Sequence, residues 1–182
     1  MKPHVLQPHP SVAAPSGLQI EFDCTQRADG SLSLRYRLEG EIADLRLPAP
    51  ITSPGPSDGL WQRSCCELFV TEEGDAYREF NFSPSGEWAA YAFSGYRQRV
   101  AWQPTAAPQI RCSTNTAGIE LRVELPGVLL PTTTKFHLSA TAVIETRDGA
   151  LSYWALHHAG ERPDFHRRES FVLTLPDDSR QP

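Results

Sequence analysis

Apolar and polar residues alternate with a period of two along most of this chain, and no stretch carries the 3.6-residue stripe of an amphipathic helix. Leu18, Ile20, Phe22 and Cys24 alternate with Gln19, Glu21 and Asp23, and Leu32, Leu34, Tyr36 and Leu38 alternate with Ser33, Arg35, Arg37 and Glu39. Each set reads as a strand with one face in a core. Ala28-Asp29-Gly30 between them is a hairpin signal. Residues 42–47 suggest a third strand. Within 60–97, three runs (65–71, 77–83 and 87–94) are separated by Glu-Glu-Gly-Asp and Ser-Pro-Ser-Gly, which predicts a meander. A pair at 110–116 and 119–125 turns around Ala117-Gly118. Residues 136–145 are partly apolar on both faces, as a central strand is. Runs at 151–156 and 171–175 close the pattern.

About ten to twelve short strands with turn signals between them predict an all-β fold with little helix, an antiparallel β-sandwich of jelly-roll or immunoglobulin-like kind. The expected domain is 17–175. A lead-in, 1–16, is expected to be flexible or to add an edge strand at 5–7, and 176–182 forms a tail. The segment 48–59 (PAPITSPGPSDG) cannot be regular structure, because four prolines and two glycines remove donors and set turn-like φ values. A loop of that length in a compact domain usually has a role.

At 182 residues, with 40% hydrophobic and 21% charged residues, the chain has the size and composition of one globular domain. A net charge of −5 without a clustered basic face argues against a nucleic-acid partner. No apolar run reaches membrane-spanning length, and prolines and histidines interrupt the first residues where a signal peptide would need an apolar centre. Cytoplasmic localisation is the expectation. Four cysteines (Cys24, Cys65, Cys66, Cys112) form no C-x-x-C pair, and adjacent Cys65 and Cys66 point to opposite faces of a strand. No cofactor is expected, and the pattern leaves open both a structural calcium ion in the loops and the oligomeric state.

Candidate chemistry lies in the meander. Alternation puts Leu68, Phe80 and Phe82 on its core side, and the apparent register adds Tyr91 and Phe93. The other side would then carry Glu67, Glu79, Asn81 and Trp88, with the small residues Ala90 and Ala92 leaving room above them. Carboxylates, a carboxamide and an indole on one face suit a sugar: the ring covers apolar C–H groups, and the acceptors take hydroxyl protons. The solvent face of an antiparallel sheet is polar in any case, so alternation alone does not separate a binding floor from plain surface. A second cluster, SYWALHHAGERPDFH at 152–166, places Trp154 before a loop with three histidines. The spacing of His157, His158 and His166 matches no standard zinc pattern, with or without Asp164.

The segments LWQRSCCELFV, YREFNFSPSGEWAAYAFSGYR, SYWALHH and PDFH, in this order, resemble the bacterial DOMON-like domains related to family 9 carbohydrate-binding modules. The resembling subgroup is one sometimes fused to UDP-N-acetylmuramate dehydrogenase. The likeness spans roughly 17–175, and its most specific part is Glu-Phe-Asn-x-Ser-Pro. It implies a β-sandwich whose concave face holds a small ligand, a sugar in some relatives and haem in others. Carried to matching positions, it implies ligand contacts from Trp61, Glu67, Glu79, Asn81 and Trp88, with Tyr96, Arg97, Trp154 and His157 completing the rim. Haem is disfavoured here, since the methionine–histidine ligation of such relatives meets a chain whose one methionine is Met1.

The expectation is therefore a non-catalytic domain that binds a carbohydrate or similar polyhydroxylated molecule. Its rivals are a glycoside-processing enzyme using Glu67 and Glu79 as an acid/base pair, and a haem-binding or protein-interaction module. There is no G-x-S-x-G and no phosphate-cradling glycine loop.

Overall fold

The computed structural model describes residues 3–72, 74–116, 118–132 and 135–175. Among them are twelve strands and three single-turn 3₁₀ segments. The strands are β1 (His4–Pro8), β2 (Gln19–Gln26), β3 (Leu32–Glu39), β4 (Cys65–Thr71), β5 (Tyr77–Phe82) and β6 (Trp88–Phe93). They continue with β7 (Arg99–Val100), β8 (Gln109–Asn115), β9 (Gly118–Leu125), β10 (Phe136–Glu145), β11 (Leu151–Ala155) and β12 (Leu173–Leu175). The all-β, antiparallel expectation holds.

Hydrogen bonding runs in the order β7-β6-β5-β4-β10-β11-β1-β2-β3-β9-β8, with β12 beside β10. This one path curls so that its two ends pack face to face. From β2, β3 and β9, Ile20, Phe22, Leu34, Tyr36, Leu121 and Val123 meet Leu68, Phe80, Phe82, Leu138 and Ala140 from β4, β5 and β10, all essentially without exposure. The Tyr36 hydroxyl crosses the core and donates to the Glu67 carbonyl at 2.6 Å. That bond gives a fully buried phenol its partner and ties the first half-sheet to the back of β4.

The join between the halves is β1. His4–Leu6 pair with β2, and Gln7–Pro8 pair with β11. The segment expected as a flexible lead-in or edge strand is thus an internal one. Proline tolerates the position because Pro8 sits where the chain passes from one partner to the other. Two histidines fasten it from outside the sheet. His9, which accepts the Ser11 N–H on Nδ1, faces the Gly160 carbonyl with Nε2 at 3.1 Å, and His158 Nε2 lies 2.8 Å from the Gln7 carbonyl. A ring nitrogen facing a carbonyl must carry the proton.

One further expectation is corrected. Residues 42–47 form no strand; a single bridge from Leu45 to Thr146 is all the ladder they make. The tail 176–182 lies outside the described residues.

Candidate functional site

Register decides which side chains share a face, because a slip of one residue exchanges the faces. In β4 and β5, Glu67 stands opposite Asn81, and Phe69 opposite Glu79. In β5 and β6, Glu79 stands opposite Tyr91, and Tyr77 opposite Phe93, while Phe82 faces Trp88 and Phe80 faces Ala90. Tyr91 and Phe93 therefore belong to the face of the glutamates, and Trp88 to the face of the core phenylalanines. This reverses the expected orientation of β6. The periodicity was sound, but both faces of this strand are apolar, so alternation gave no way to phase it.

The outer face of β4, β5 and β6 carries a second apolar layer. Phe69, Tyr77, Tyr91 and Phe93 pack with Phe171, and Leu60 and Phe165 lie against them. Tyr77 and Phe93 stack at 4.6 Å between ring centroids. Into this layer opens a cavity of about 540 Å³. Glu67, Glu79 and Phe69 form its floor; Tyr91, Phe93, Val143 and Tyr153 stand along its walls. Trp61 from the 3₁₀ turn Leu60–Gln62 lies at the mouth with Arg97 and Arg99, and Pro163–His166 close the far side. Trp61 is 41% exposed and meets Tyr91 edge to face at 6.1 Å.

The carboxyls are buried, Glu67 at 2% and Glu79 at 6% exposure. Glu67 accepts the Thr141 hydroxyl at 3.0 Å and the Cys65 thiol at 3.5 Å. Glu79 accepts the Asn81 amide at 2.9 Å. Burial disfavours the charged form of each, pushing Glu67 up to about 8, with the neighbouring Glu79 charge adding to it, and Glu79 up to about 7. Two carboxyls this close give up their protons as a pair. Neither has a lysine or arginine partner among the described residues.

A chain of hydrogen bonds leads from the rim to His166, beside Glu79. Arg97, whose φ of 55° places it in the left-handed region, donates its N–H to the Tyr77 hydroxyl at 3.1 Å. Tyr77 in turn lies 2.8 Å from His166 Nδ1, and with its oxygen already accepting, its proton serves that nitrogen. The remaining imidazole proton is then on Nε2, 3.8 Å from Glu79 Oε2. Burial, reinforced by the Arg97 charge, drops His166 to about 4, so the ring is neutral in ordinary buffers. The closing loop is pinned by Asp164, which accepts from the Tyr96 hydroxyl at 2.6 Å, from Arg97 Nη2 at 3.0 Å and from the His166 N–H at 3.2 Å.

The predicted residues thus divide. Trp61, Glu67, Glu79 and Arg97 come together around one cavity, with Asn81 bonded to Glu79 on the same face. Tyr96 supports the rim through Asp164. Trp88 lies outside, lining an adjoining cleft of about 550 Å³ with Pro56, Asp58 and Pro104; Tyr91 and Arg99 separate the two spaces. Trp154 is a core residue, 3% exposed, opposite Ala142 and bonded through its indole N–H to Ser152. Its neighbour Tyr153 takes the cavity position. His157 is exposed and lines no part of the cavity. The three loop histidines have separate surroundings, and among the described residues no group of three His, Cys, Asp or Glu side chains could hold a metal ion. Tyr153, Phe165, His166 and Asp164 were not singled out as ligand contacts from sequence. Alternation with Trp154 pointed to Tyr153, whereas nothing local marks an irregular loop as folding back over a sheet.

The fold has a solved counterpart. It matches the crystal structure of a putative carbohydrate-binding protein from Bacteroides uniformis with a TM-score of 0.61 and 17% sequence identity, covering 93% of this chain and 84% of that one. At that identity the likeness is one of fold. No family model and no curated protein matches the sequence.

Proposed function

We propose that this protein is a non-catalytic binding domain for a carbohydrate or similar polyhydroxylated small molecule, working in the cytoplasm as a single unit that includes β1. The observation that carries this reading is the cavity itself. Its volume of about 540 Å³ suits one small ligand, aromatic rings wall it, and buried carboxyls stand at its base. Ring faces cover the C–H surface of a pyranose, while the polar groups at the floor fix its hydroxyls. The fold shared with a protein described as carbohydrate-binding supports the reading, as does the resemblance of the meander to DOMON-like and family 9 modules. Haem fits less well: His166 is engaged by Tyr77, and the chain's one methionine, Met1, lies outside the described residues.

The test is a calorimetric and thermal-shift screen against mono- and oligosaccharides, since binding to the native state raises its melting point. A sugar that binds wild type should bind Trp61→Ala about tenfold or more weakly, on the scale of one lost aromatic anchor. The melting point without ligand should stay the same, because Trp61 is half-exposed. Absence of binding by any sugar would sink the proposal. One observation favours a second reading, glycoside hydrolysis: two carboxyls share the cavity. They are diagonal neighbours on adjacent strands and face the same space. Both are raised by burial, however, which leaves neither as a dedicated ionised base. Turnover of aryl-glycosides that disappears in Glu79→Gln would establish it.

A further inference from the structure

We infer that the ligand presents a primary ammonium group to the floor of the cavity, so that the preferred class is an amino sugar with its amine free. The inference rests on the carbohydrate reading above and names the ligand more closely. It comes from counting donors and acceptors.

With both carboxyls ionised, as a bound cation would leave them, the floor is short of donors. Of the four carboxyl oxygens, Glu67 Oε2 and Glu79 Oε1 each have a full hydrogen bond, from Thr141 and Asn81. Glu67 Oε1 has only a thiol at 3.5 Å, and Glu79 Oε2 faces an imidazole nitrogen at 3.8 Å. Beside them Asn81 Oδ1 is buried without any partner. Asn81 is fully buried, stands opposite Glu67 in the ladder and is bonded to Glu79, so this orphan acceptor belongs to the same cluster. A buried acceptor left unpaired is costly, so one orphan beside two weakly served carboxyl oxygens points to a donor supplied from elsewhere.

The positive charges that act on Glu79, those of Arg97 and Arg99, stand at the rim and not on the floor. The two nearest guanidinium groups are committed to other partners: Arg97 to Asp164 at 3.0 Å, and Arg99 over the Tyr91 ring at 4.1 Å from its centroid. A sugar hydroxyl brings one donor and an oxygen that itself needs partners. An ammonium brings three donors, no acceptor and a positive charge, which is the complement of this floor. The rings of Phe69, Phe93 and Tyr153 around it favour a cation as well. Burial is the main cause that holds protons on the empty pair, against the opposing charges of Arg97 and Arg99 at Glu79, and a bound cation would favour its ionised form.

Titration calorimetry with D-glucosamine, D-glucose, N-acetyl-D-glucosamine and cyclohexylamine tests this. The first three share one skeleton and differ in charge and donors at one carbon. Glucosamine should bind about tenfold or more tighter than glucose or its acetylated form, as expected when a buried charge pair is completed. In Glu67→Gln and Glu79→Gln that advantage should fall severalfold. Equal affinity for glucose and glucosamine overturns the inference while the carbohydrate reading stands. An amine preference unchanged in both glutamine variants also overturns it. Binding of cyclohexylamine without any sugar removes the carbohydrate reading and keeps the ammonium site. No binding by any of the four overturns both. The wild-type comparison needs no variant to fold.

Discussion

Glu67 and Glu79 make the stability of this protein depend on pH in an unusual direction. In the unfolded chain a glutamate loses its proton near about pH 4.3. In the folded protein the pair holds its protons up to about 8 and about 7. Between those limits the native state binds more protons than the unfolded one, so stability falls as pH rises through the window. His166 acts with the opposite sign. Its folded value of about 4 lies below the usual imidazole range, so it costs stability as pH drops under about 6.5. Denaturant unfolding of wild type and Glu67→Gln at several pH values separates the two effects. From about pH 5 to pH 8 the wild type should lose on the order of 3 kcal/mol more than the variant, the scale set by roughly 1.4 kcal/mol for each tenfold change in proton affinity. Equal loss in both proteins would mean that Glu67 ionises freely in the fold.

At the scale of elements, β6 and the 157–171 loop convert a sheet face into a cavity. Strand existence was largely legible in the sequence: β3, β4 and β10 occupy the expected residues, and β2, β8 and β9 differ from expectation by a residue or two at their ends. Phase was legible where one face is polar, as in β3 and β9, whose buried positions alternate with exposed or half-buried ones. It was hidden in β6, where Trp88, Ala89, Tyr91, Ala92 and Phe93 are all buried because each side of the strand meets a different apolar layer. The site was half legible for the same reason. The glutamates lie on well-phased strands, whereas the rings above them come from β6 and from a loop whose placement depends on Asp164. Asp164→Asn should loosen that loop. It keeps the side chain's shape but removes the charge that holds Arg97 and, at 3.6 Å, Arg167. Hydrogen exchange in 158–171 should speed up, at a cost of about 1–3 kcal/mol locally, while β2, β3 and β9 stay protected. Unchanged exchange would show that Phe165 and Phe171 hold the loop by packing alone.

For the whole molecule, the feature with most reach is β1, which shares its few residues between two half-sheets. Local pattern could not reveal this, since five residues bounded by prolines look like an appendage; only the pairing order shows that they close the path from β11 to β2. Removing 1–8 should expose the edges of both strands and leave the core to hold the halves together. We expect a lower melting point, a broader transition and concentration-dependent aggregation, read by circular dichroism and light scattering. A truncated chain that melts like the full one would show that core packing suffices.

The tryptophans supply the protein with its own optical gauge. Trp88 and Trp154 are buried, and Trp102 lies partly covered beneath Arg78 at 4.7 Å. Trp61 alone among the four stands half in solvent, at the cavity mouth. Its emission is the part of the spectrum that responds to whatever enters, so occupancy can be followed by wavelength without a label, and Trp61→Phe silences the signal while the other three indoles continue to report the fold.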